Sequence, residues 1–186
     1  MHDLRARVAA KKAELDWLRP LAPHGLTNLD HVQDLELTFT SNAIEGNMLT
    51  AAETTLVVEQ GLTIGGKPLK DHLEAIDHHE AIGFARALAM SSAPLTEANM
   101  RNLHGLVVRR SNPDIAGRYA DQPRYVLTDS GRRAFPLPAM VPALMGDLSM
   151  RLSTAPATPE VAFEAHRRLV DIHPFNAALN ASLPKT

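Results

Sequence analysis

Hydrophobic residues recur every three or four positions over most of this chain, the spacing that places them on one face of an α-helix. Threonines that cap helices, glycines and prolines divide the pattern into segments. Thr50 with Glu53 forms a capping box, and Thr96 and Thr158 precede two further helices. The pattern therefore predicts helices over about 3–20, 29–44, 51–61, 69–90, 97–110, 138–152 and 159–172.

The second of these helices, from about Leu29 to Ile44, is predicted to turn its apolar residues toward a core. The residues that share this spacing are Val32, Leu35, Phe39 and Ile44. Gly46 and Asn47 follow and end the helix.

The chain has one strand signal, a pair of short segments around a turn. Arg124–Leu127 and Arg132–Phe135 flank Thr128-Asp129-Ser130-Gly131, where the glycine can supply a positive φ angle. The predicted fold class is therefore all-α, a helical bundle with a short β-hairpin over about 122–136. Residues 91–94 form a connector, which we take as the boundary between an N-terminal helical region (1–93) and a core region (94–186).

Composition removes several functional classes. The formal net charge is −2, so no overall electrostatic attraction to nucleic acid or to an anionic membrane is expected. No apolar run is long enough to span a bilayer. The chain has no cysteine, which removes thiol chemistry and disulfides and favours a cytoplasmic location.

His173 is the first candidate for chemistry. It stands at the end of the last predicted helix, and Pro174 disfavours further helix at that position. A neutral imidazole there can accept a proton from a hydroxyl group near neutral pH. A histidine at a helix C-terminus can equally well just complement the helix dipole.

The run His173-Pro174-Phe175-Asn176 resembles the start of the Fic (Fido) family motif His-Pro-Phe-x-Asp/Glu-Gly-Asn-Gly-Arg-x-x-Arg. A second match supports it, because Ser41-Asn42-Ala43-Ile44-Glu45-Gly46 resembles the inhibitory-helix motif Ser/Thr-x-x-x-Glu-Gly/Asn of the same family. Both motifs stand in the family's order. The resemblance covers nearly everything from about residue 29 to Asn176.

The resemblance implies transfer of AMP from ATP, with Mg²⁺, to a Ser, Thr or Tyr hydroxyl of a target protein. It makes His173 the general base and Phe175, between Pro174 and Asn176, the anchor of its loop. It places Ser41, Glu45 and Gly46 in a helix, about 29–46, whose glutamate carboxylate inhibits the enzyme by repelling phosphate and competing for an arginine. The hairpin becomes a flap that docks the target segment by strand pairing through Tyr125, Val126 and Leu127.

The chain departs from the motif after Asn176. Ala177 stands where the family has its Mg²⁺-binding carboxylate, so no metal ligand is expected there. Ala178, Leu179 and Asn180 replace the Gly-Asn-Gly phosphate loop, and the two arginines fall at Ala181 and Pro184. Loss of one preorganised donor costs about 100-fold to 1,000-fold in rate, so little or no activity is expected and ATP binding is doubtful.

Three interpretations follow. The chain is an adenylyltransferase with an incomplete catalytic loop, or it is a catalytically dead module that keeps the fold to bind a partner protein. Alternatively, the tail from Ala177 reflects a truncation or a change of reading frame. Without a following helix, the last two helices would expose apolar faces, which predicts association into a homo-oligomer or poor solubility.

Two clusters of charged residues carry weaker signals. His72, His78 and His79 lie among acidic residues that include Asp71 and Asp77, but the i, i+4 histidine pair of a zinc helix is missing, so a solvated polar face is predicted. Six arginines could form a basic patch near the flap, at Arg109, Arg110, Arg118, Arg124, Arg132 and Arg133. Few aromatic residues accompany them, so target docking or solubility is favoured over nucleic-acid binding.

Overall fold

The computed structural model describes residues 2–19, 23–91, 93–129 and 131–176 of the chain. Within these ranges the helices are α1 (His2–Trp17), α2 (Pro23–Ile44), α3 (Ala51–Gln60), α4 (Leu69–Met90), α5 (Glu97–Val107), α6 (Val141–Thr154) and α7 (Pro159–Ile172). The strands are β1 (Tyr125–Thr128) and β2 (Gly131–Ala134), and short 3₁₀ turns cover Pro113–Ile115 and Pro138–Met140. The all-α class with one hairpin is confirmed.

Local capping chemistry sets most helix starts. Thr50 accepts a hydrogen bond from the Glu53 backbone N–H, and the Glu53 carboxylate accepts one from the Thr50 N–H, which completes the predicted capping box. Thr96 forms an equivalent box with Asn99. Two predicted starts were wrong: α2 begins at Pro23, and Pro138 opens a 3₁₀ turn, so α6 begins only at Val141.

The buried face of α2 differs from the prediction. Val32 is 58% exposed and Ile44 is 84% exposed, whereas Thr38 is fully buried and Leu35 and Phe39 are half-buried. The helix packs on α3 and α4. Because Thr38 is fully buried while Val32 and Ile44 are exposed, the buried surface of α2 is smaller and more polar than the apolar pattern suggests.

The polar face of α4 is not solvated, so that prediction was wrong. Asp71, His72 and Asp77 are 6%, 4% and 0% exposed. They are buried because other segments of the chain bind them. The loops before α3 and α4 bind Asp71 and His72, and the turn after α5 binds Asp77. His72 accepts a hydrogen bond from the Ile64 N–H through Nε2, and its Nδ1 lies 2.8 Å from the Pro68 carbonyl oxygen.

Apolar side chains gather in two clusters. One lies between α5, α6 and the end of α7, with Val141 and Met145 fully buried and Met100, Leu148 and Ile172 around them. The other joins Leu49, Val57 and Ala75 from α3, α4 and the loop before α3. The boundary near residues 91–94 stays a prediction. No helix within the described ranges is both long and apolar enough to cross a bilayer.

The predicted hairpin forms as an antiparallel pair with Tyr125 opposite Ala134 and Thr128 opposite Gly131. Gly131 has φ +111°, which explains the glycine at this turn. Both strands are exposed along their whole length, and the pair is the full extent of the sheet in the described residues. The hairpin therefore lies at the surface of the protein.

The six arginines do not form a single patch. Arg109 and Arg110 bind the Glu80 carboxylate, and Arg110 also binds Asp77. Arg133 binds Asp171 at 2.6 Å on the neighbouring α7. Arg132 lies over the Tyr125 ring, 3.7 Å from its centroid. Much of this positive charge is therefore already neutralised or stacked.

Candidate active site

His173 ends α7 in the left-handed conformation, with φ 48° and ψ 59°. It is the one residue other than glycine with a positive φ in the described chain. Pro174 explains the stop, because a proline excludes helical geometry from the residue before it. The His173 N–H still reaches the Leu169 carbonyl oxygen at 2.8 Å. The chain therefore leaves the helix at His173. The left-handed backbone is strained for a residue other than glycine, so surrounding contacts must stabilise it.

Those contacts come first from the segment before the hairpin. Tyr119 pairs with Phe175 in an isolated antiparallel bridge, and the Ala120 N–H donates to the Pro174 carbonyl oxygen at 2.9 Å. The Phe175 ring stacks on the His104 ring from α5, with centroids 4.2 Å apart and planes 6° apart. Phe175 thus contacts both α5 and the segment before the hairpin, and Pro174 is buried. Its role as the anchor of the loop stays a prediction.

The hairpin supplies the second set of contacts. Phe135, directly after β2, stacks on the His173 imidazole with ring centroids 4.3 Å apart and planes 12° apart. Arg124, directly before β1, donates from Nη1 to the Phe175 carbonyl oxygen at 3.3 Å. The base of the hairpin therefore contacts the histidine loop at two points.

Glu45 and His173 face the same concavity, of about 330 Å³. Its walls are apolar side chains of α5 and α7, including Val107, Val108 and Leu169, together with the loop His173–Asn176. Glu45 enters from the turn after α2. Two residues more than a hundred positions apart in sequence, selected by two separate motifs, thus meet at one site.

The Glu45 turn is fixed by the start of α4. Gly46 has φ +92°, which a glycine adopts readily and other residues do not. The Asn47 side-chain amide donates to the Asp71 carbonyl oxygen at 2.9 Å, and the Met48 N–H donates to the Asp71 carboxylate at 2.7 Å. The loop after the helix is therefore held by a buried aspartate, and the position of Glu45 is set from both sides. Ser41 is half-buried in α2.

Polar side-chain contacts hold α2 against its neighbours. Arg86 from α4 binds the Asp34 carboxylate through Nε and Nη2, and also reaches Asp30 at 3.1 Å. His31 lies 2.5 Å from Glu59 of α3. These contacts attach the helix that presents Glu45.

Burial sets the protonation of the site. It lowers the pKa of His173 below 6.5; the positive charge of Arg124 lowers that pKa further, and Glu45 opposes the shift. Burial also lowers the pKa of His104. Both imidazoles are therefore neutral at pH 7, the state in which His173 can accept a proton.

The same shifts predict that the protein loses stability as pH falls below about 6.5. Burial lowers the pKa of His78 as well as those of His104 and His173. The unfolded chain, with ordinary histidine pKa values near 6.5, then binds more protons than the folded chain, so acid favours unfolding. Glu74 acts in the opposite direction, because burial raises its pKa, but its ordinary value is 4.5.

Urea denaturation at several pH values between about 7 and 5.5 checks this expectation. The free energy of unfolding should decrease as the pH is lowered. His78→Gln should make this dependence on pH less steep, because it removes one of the three histidines with a lowered pKa. A free energy of unfolding that stays constant over that interval would contradict the assignment.

Sequence reasoning missed three residues that touch the histidine loop: His104, Phe135 and Arg124. Their spacing carries no signal, because they reach the loop from separate segments. The predicted docking residues Tyr125, Val126 and Leu127 are exposed on β1. Ala177, and the rest of the predicted catalytic loop, lies outside the described residues. Among the described residues, no group of three or more histidine or acidic side chains could hold a metal.

Two curated relatives are similar to most of this chain. The chain is 32% identical over 139 residues to protein adenylyltransferase fic-1 of Caenorhabditis elegans, covering 72% of this chain and 27% of the relative. It is 29% identical over 136 residues to protein adenylyltransferase Fic of Nematostella vectensis, covering 73% of this chain and 32% of that one. The chain thus spans about a third or less of these relatives. No protein-family model matches it.

A solved structure decides the family. A Fic domain-containing signaling protein from Bacteroides thetaiotaomicron superposes with a TM-score of 0.82 at 30% identity, over 90% of this chain and 65% of the other. The chain belongs to the Fic (Fido) family. Fic-1 of C. elegans shares the fold, with a TM-score of 0.73 at 23% identity over 94% of this chain and 56% of that one.

Proposed function

We propose that this chain represents a Fic-type protein adenylyltransferase, which transfers AMP from ATP to a hydroxyl side chain of a target protein. The observation that carries the proposal is the shared concavity of His173 and Glu45, with the hairpin base stacked on the imidazole. Relatives named protein adenylyltransferase Fic support the same activity.

The residues suggest a division of labour. A target strand pairs with an exposed edge of the hairpin and presents a Ser, Thr or Tyr hydroxyl to the site. Neutral His173 accepts the hydroxyl proton while the oxygen attacks the α-phosphorus of ATP and pyrophosphate leaves. Apolar side chains of α5 and α7 line the space beside the reacting groups.

Glu45 is the proposed inhibitory group. Its carboxylate faces the concavity and repels the phosphates of a nucleotide entering it. In the Fic motif, arginines stand at the positions of Ala181 and Pro184. The carboxylate would compete with the nucleotide phosphates for one of these arginines. Inhibition in the unaltered chain therefore acts mainly through repulsion.

Mg²⁺ is expected from the family, but the described residues offer it no set of ligands. The motif carboxylate is replaced by Ala177. We therefore assign no step to the metal. We also infer a cytoplasmic location from the cysteine-free composition, and we retain association into a homo-oligomer as part of the proposal.

AMP incorporation from labelled ATP tests the activity. The unaltered chain is compared with a restored chain that carries the following substitutions: Ala177→Asp, Ala178→Gly, Leu179→Asn, Asn180→Gly, Ala181→Arg and Pro184→Arg. We expect the unaltered chain to be nearly silent. The restored chain, with Glu45→Gln to relieve inhibition, should exceed its own His173→Ala variant by about 100-fold to 10,000-fold, the range of a general base.

The control is the folded state of each variant, measured by circular dichroism. If the restored chain is folded yet no more active than its His173→Ala variant, the enzyme assignment fails.

A second candidate function is a catalytically dead module that binds a partner protein. The exposed hairpin beside a motif that loses its carboxylate and both arginines favours it. Calorimetry with Mg·ATP on the unaltered chain separates the two. Measurable affinity contradicts the dead module, and absence of binding together with a silent restored chain supports it.

A further inference from the structure

Two residues at the base of the hairpin face each other across the strands. Tyr125 pairs with Ala134, so the next position out places Arg124 opposite Phe135. The Phe135 N–H donates to the Arg124 carbonyl oxygen at 3.0 Å and extends the ladder by one step. This hydrogen bond fixes the main chain of Arg124 and Phe135 relative to one another at the base of the hairpin.

Arg124 and Phe135 each contact a different residue of the histidine loop, His173–Asn176. Phe135 covers one face of the His173 imidazole in a nearly parallel stack. Arg124 holds the carbonyl oxygen of Phe175, two residues further on. The loop cannot shift relative to the hairpin without breaking one of these contacts.

Arg124 is an unusual choice for a purely structural contact. It is half-buried, and its Nε and Nη2 atoms are buried without a hydrogen-bond partner. Leaving such donors unpaired is costly, and burial lowers the pKa of this arginine. A neutral side chain could contact the same carbonyl at lower cost, so the positive charge itself calls for a role at this place.

We propose that Phe135 and Arg124 are positioning residues for His173: Phe135 fixes the plane of the imidazole, and Arg124 holds its loop and keeps a positive charge beside it. The proposal rests on the proposed function, in which His173 is the base. It adds that the flap orients the base as well as docking the target.

The electrostatic surroundings of His173 support this role. The Arg124 cation disfavours a second positive charge on the imidazole, while the Glu45 carboxylate favours it. His104 does not contact His173 through this stack, because its ring stacks on that of Phe175. Burial first, and then the Arg124 charge from the hairpin, therefore favour the neutral, proton-accepting form of His173 over the opposing effect of the Glu45 carboxylate.

NMR of the His173 ring tests the proposal without requiring activity. Carbon–proton correlations of the labelled imidazoles are followed through their titration, and His173 is assigned by the signal lost in His173→Asn. Phe135→Leu should remove the ring-current shift of the His173 protons, and Phe135→Tyr should restore it. Should Phe135→Leu fail to fold, Phe135→Met removes the ring while keeping a similar apolar volume.

Charge is tested separately. Arg124→Gln should raise the pKa of His173, and Arg124→Lys should leave it low, because lysine keeps the positive charge. Arg132→Gln is the matched control: it removes a positive charge from the same hairpin, at a residue that stacks on Tyr125. It should leave both the shifts and the titration of His173 unchanged.

Unchanged His173 signals in Phe135→Leu or Phe135→Met, together with an unchanged pKa in Arg124→Gln, would overturn the proposal. So would an equal response to Arg132→Gln. These outcomes do not depend on AMP transfer. If the spectra change as expected while the restored chain stays inactive, the positioning role stands and the proposed function fails.

Discussion

Replacing Asp77 by alanine is expected to lower the free energy of unfolding by about 2–6 kcal/mol, because two backbone N–H groups lose a buried acceptor and each such loss costs about 1–3 kcal/mol. Asp77 is 0% exposed. Its carboxylate accepts hydrogen bonds from the backbone N–H groups of Arg110 and Ser111, at 2.7 and 3.1 Å, and from the Arg110 guanidinium at 2.7 Å. Alanine would leave all three donors without this acceptor.

The contact matters because it joins α4 to the turn that follows α5. The backbone N–H groups of that turn have no substitute acceptor once the carboxylate is gone, and water cannot reach a fully buried position. Asp77→Asn should be less severe, since its side-chain oxygen still accepts a hydrogen bond while the charge is lost.

Glu80→Ala provides the matched control. Glu80 binds the same Arg110 guanidinium but is 40% exposed, and exposed pairs contribute about 0.2–1 kcal/mol. Urea denaturation of the three variants at one pH gives the comparison. Equal losses for Asp77→Ala and Glu80→Ala would contradict the importance of burial at Asp77.

Helix positions could be predicted because their signals are local. Thr50 and Glu53 determine the start of α3 within four residues, and the helix over Leu69–Met90 has the bounds that its apolar spacing indicates. The hairpin register likewise follows from the glycine at Gly131. In each case a short stretch of chain contains both halves of the interaction.

Burial of polar residues could not be predicted, because their partners are distant in sequence. Asp77 binds the backbone 33 and 34 residues later. A segment rich in histidine and acidic residues is predicted to be exposed to solvent when such a distant partner is not known. The same reason explains why Val32 and Ile44 were assigned to the interior: they follow the helical spacing of apolar residues, but that spacing does not show which positions of α2 its neighbours α3 and α4 cover.

The candidate site divides in the same way. His173 and Glu45 could be selected because each belongs to a motif. Phe135, Arg124 and His104 could not, because they meet the loop only through the folded arrangement of α5, the hairpin and α7. The motifs identify the reacting groups, and the structure adds the residues that hold them.

The second large effect concerns Glu45 and depends on an arginine that this chain lacks. In the restored chain, Glu45→Gln is expected to raise AMP transfer by about 100-fold to 1,000-fold, the typical value of one preorganised donor, because it frees the motif arginine from a competing carboxylate. In the unaltered chain, where Ala181 and Pro184 replace both arginines, the same substitution should change the residual rate far less.

Glu45→Gln and the set of restoring substitutions therefore form a thermodynamic cycle, in which the non-additive part measures the coupling between Glu45 and the restored loop that contains the arginines. Glu36→Gln is the matched control, since Glu36 is an exposed glutamate of α2, the helix that precedes Glu45. AMP incorporation is measured for all members at one Mg·ATP concentration. Equal gains in the restored and unaltered chains would show that Glu45 acts by repelling phosphate alone, and no gain in either would remove it as an inhibitory group.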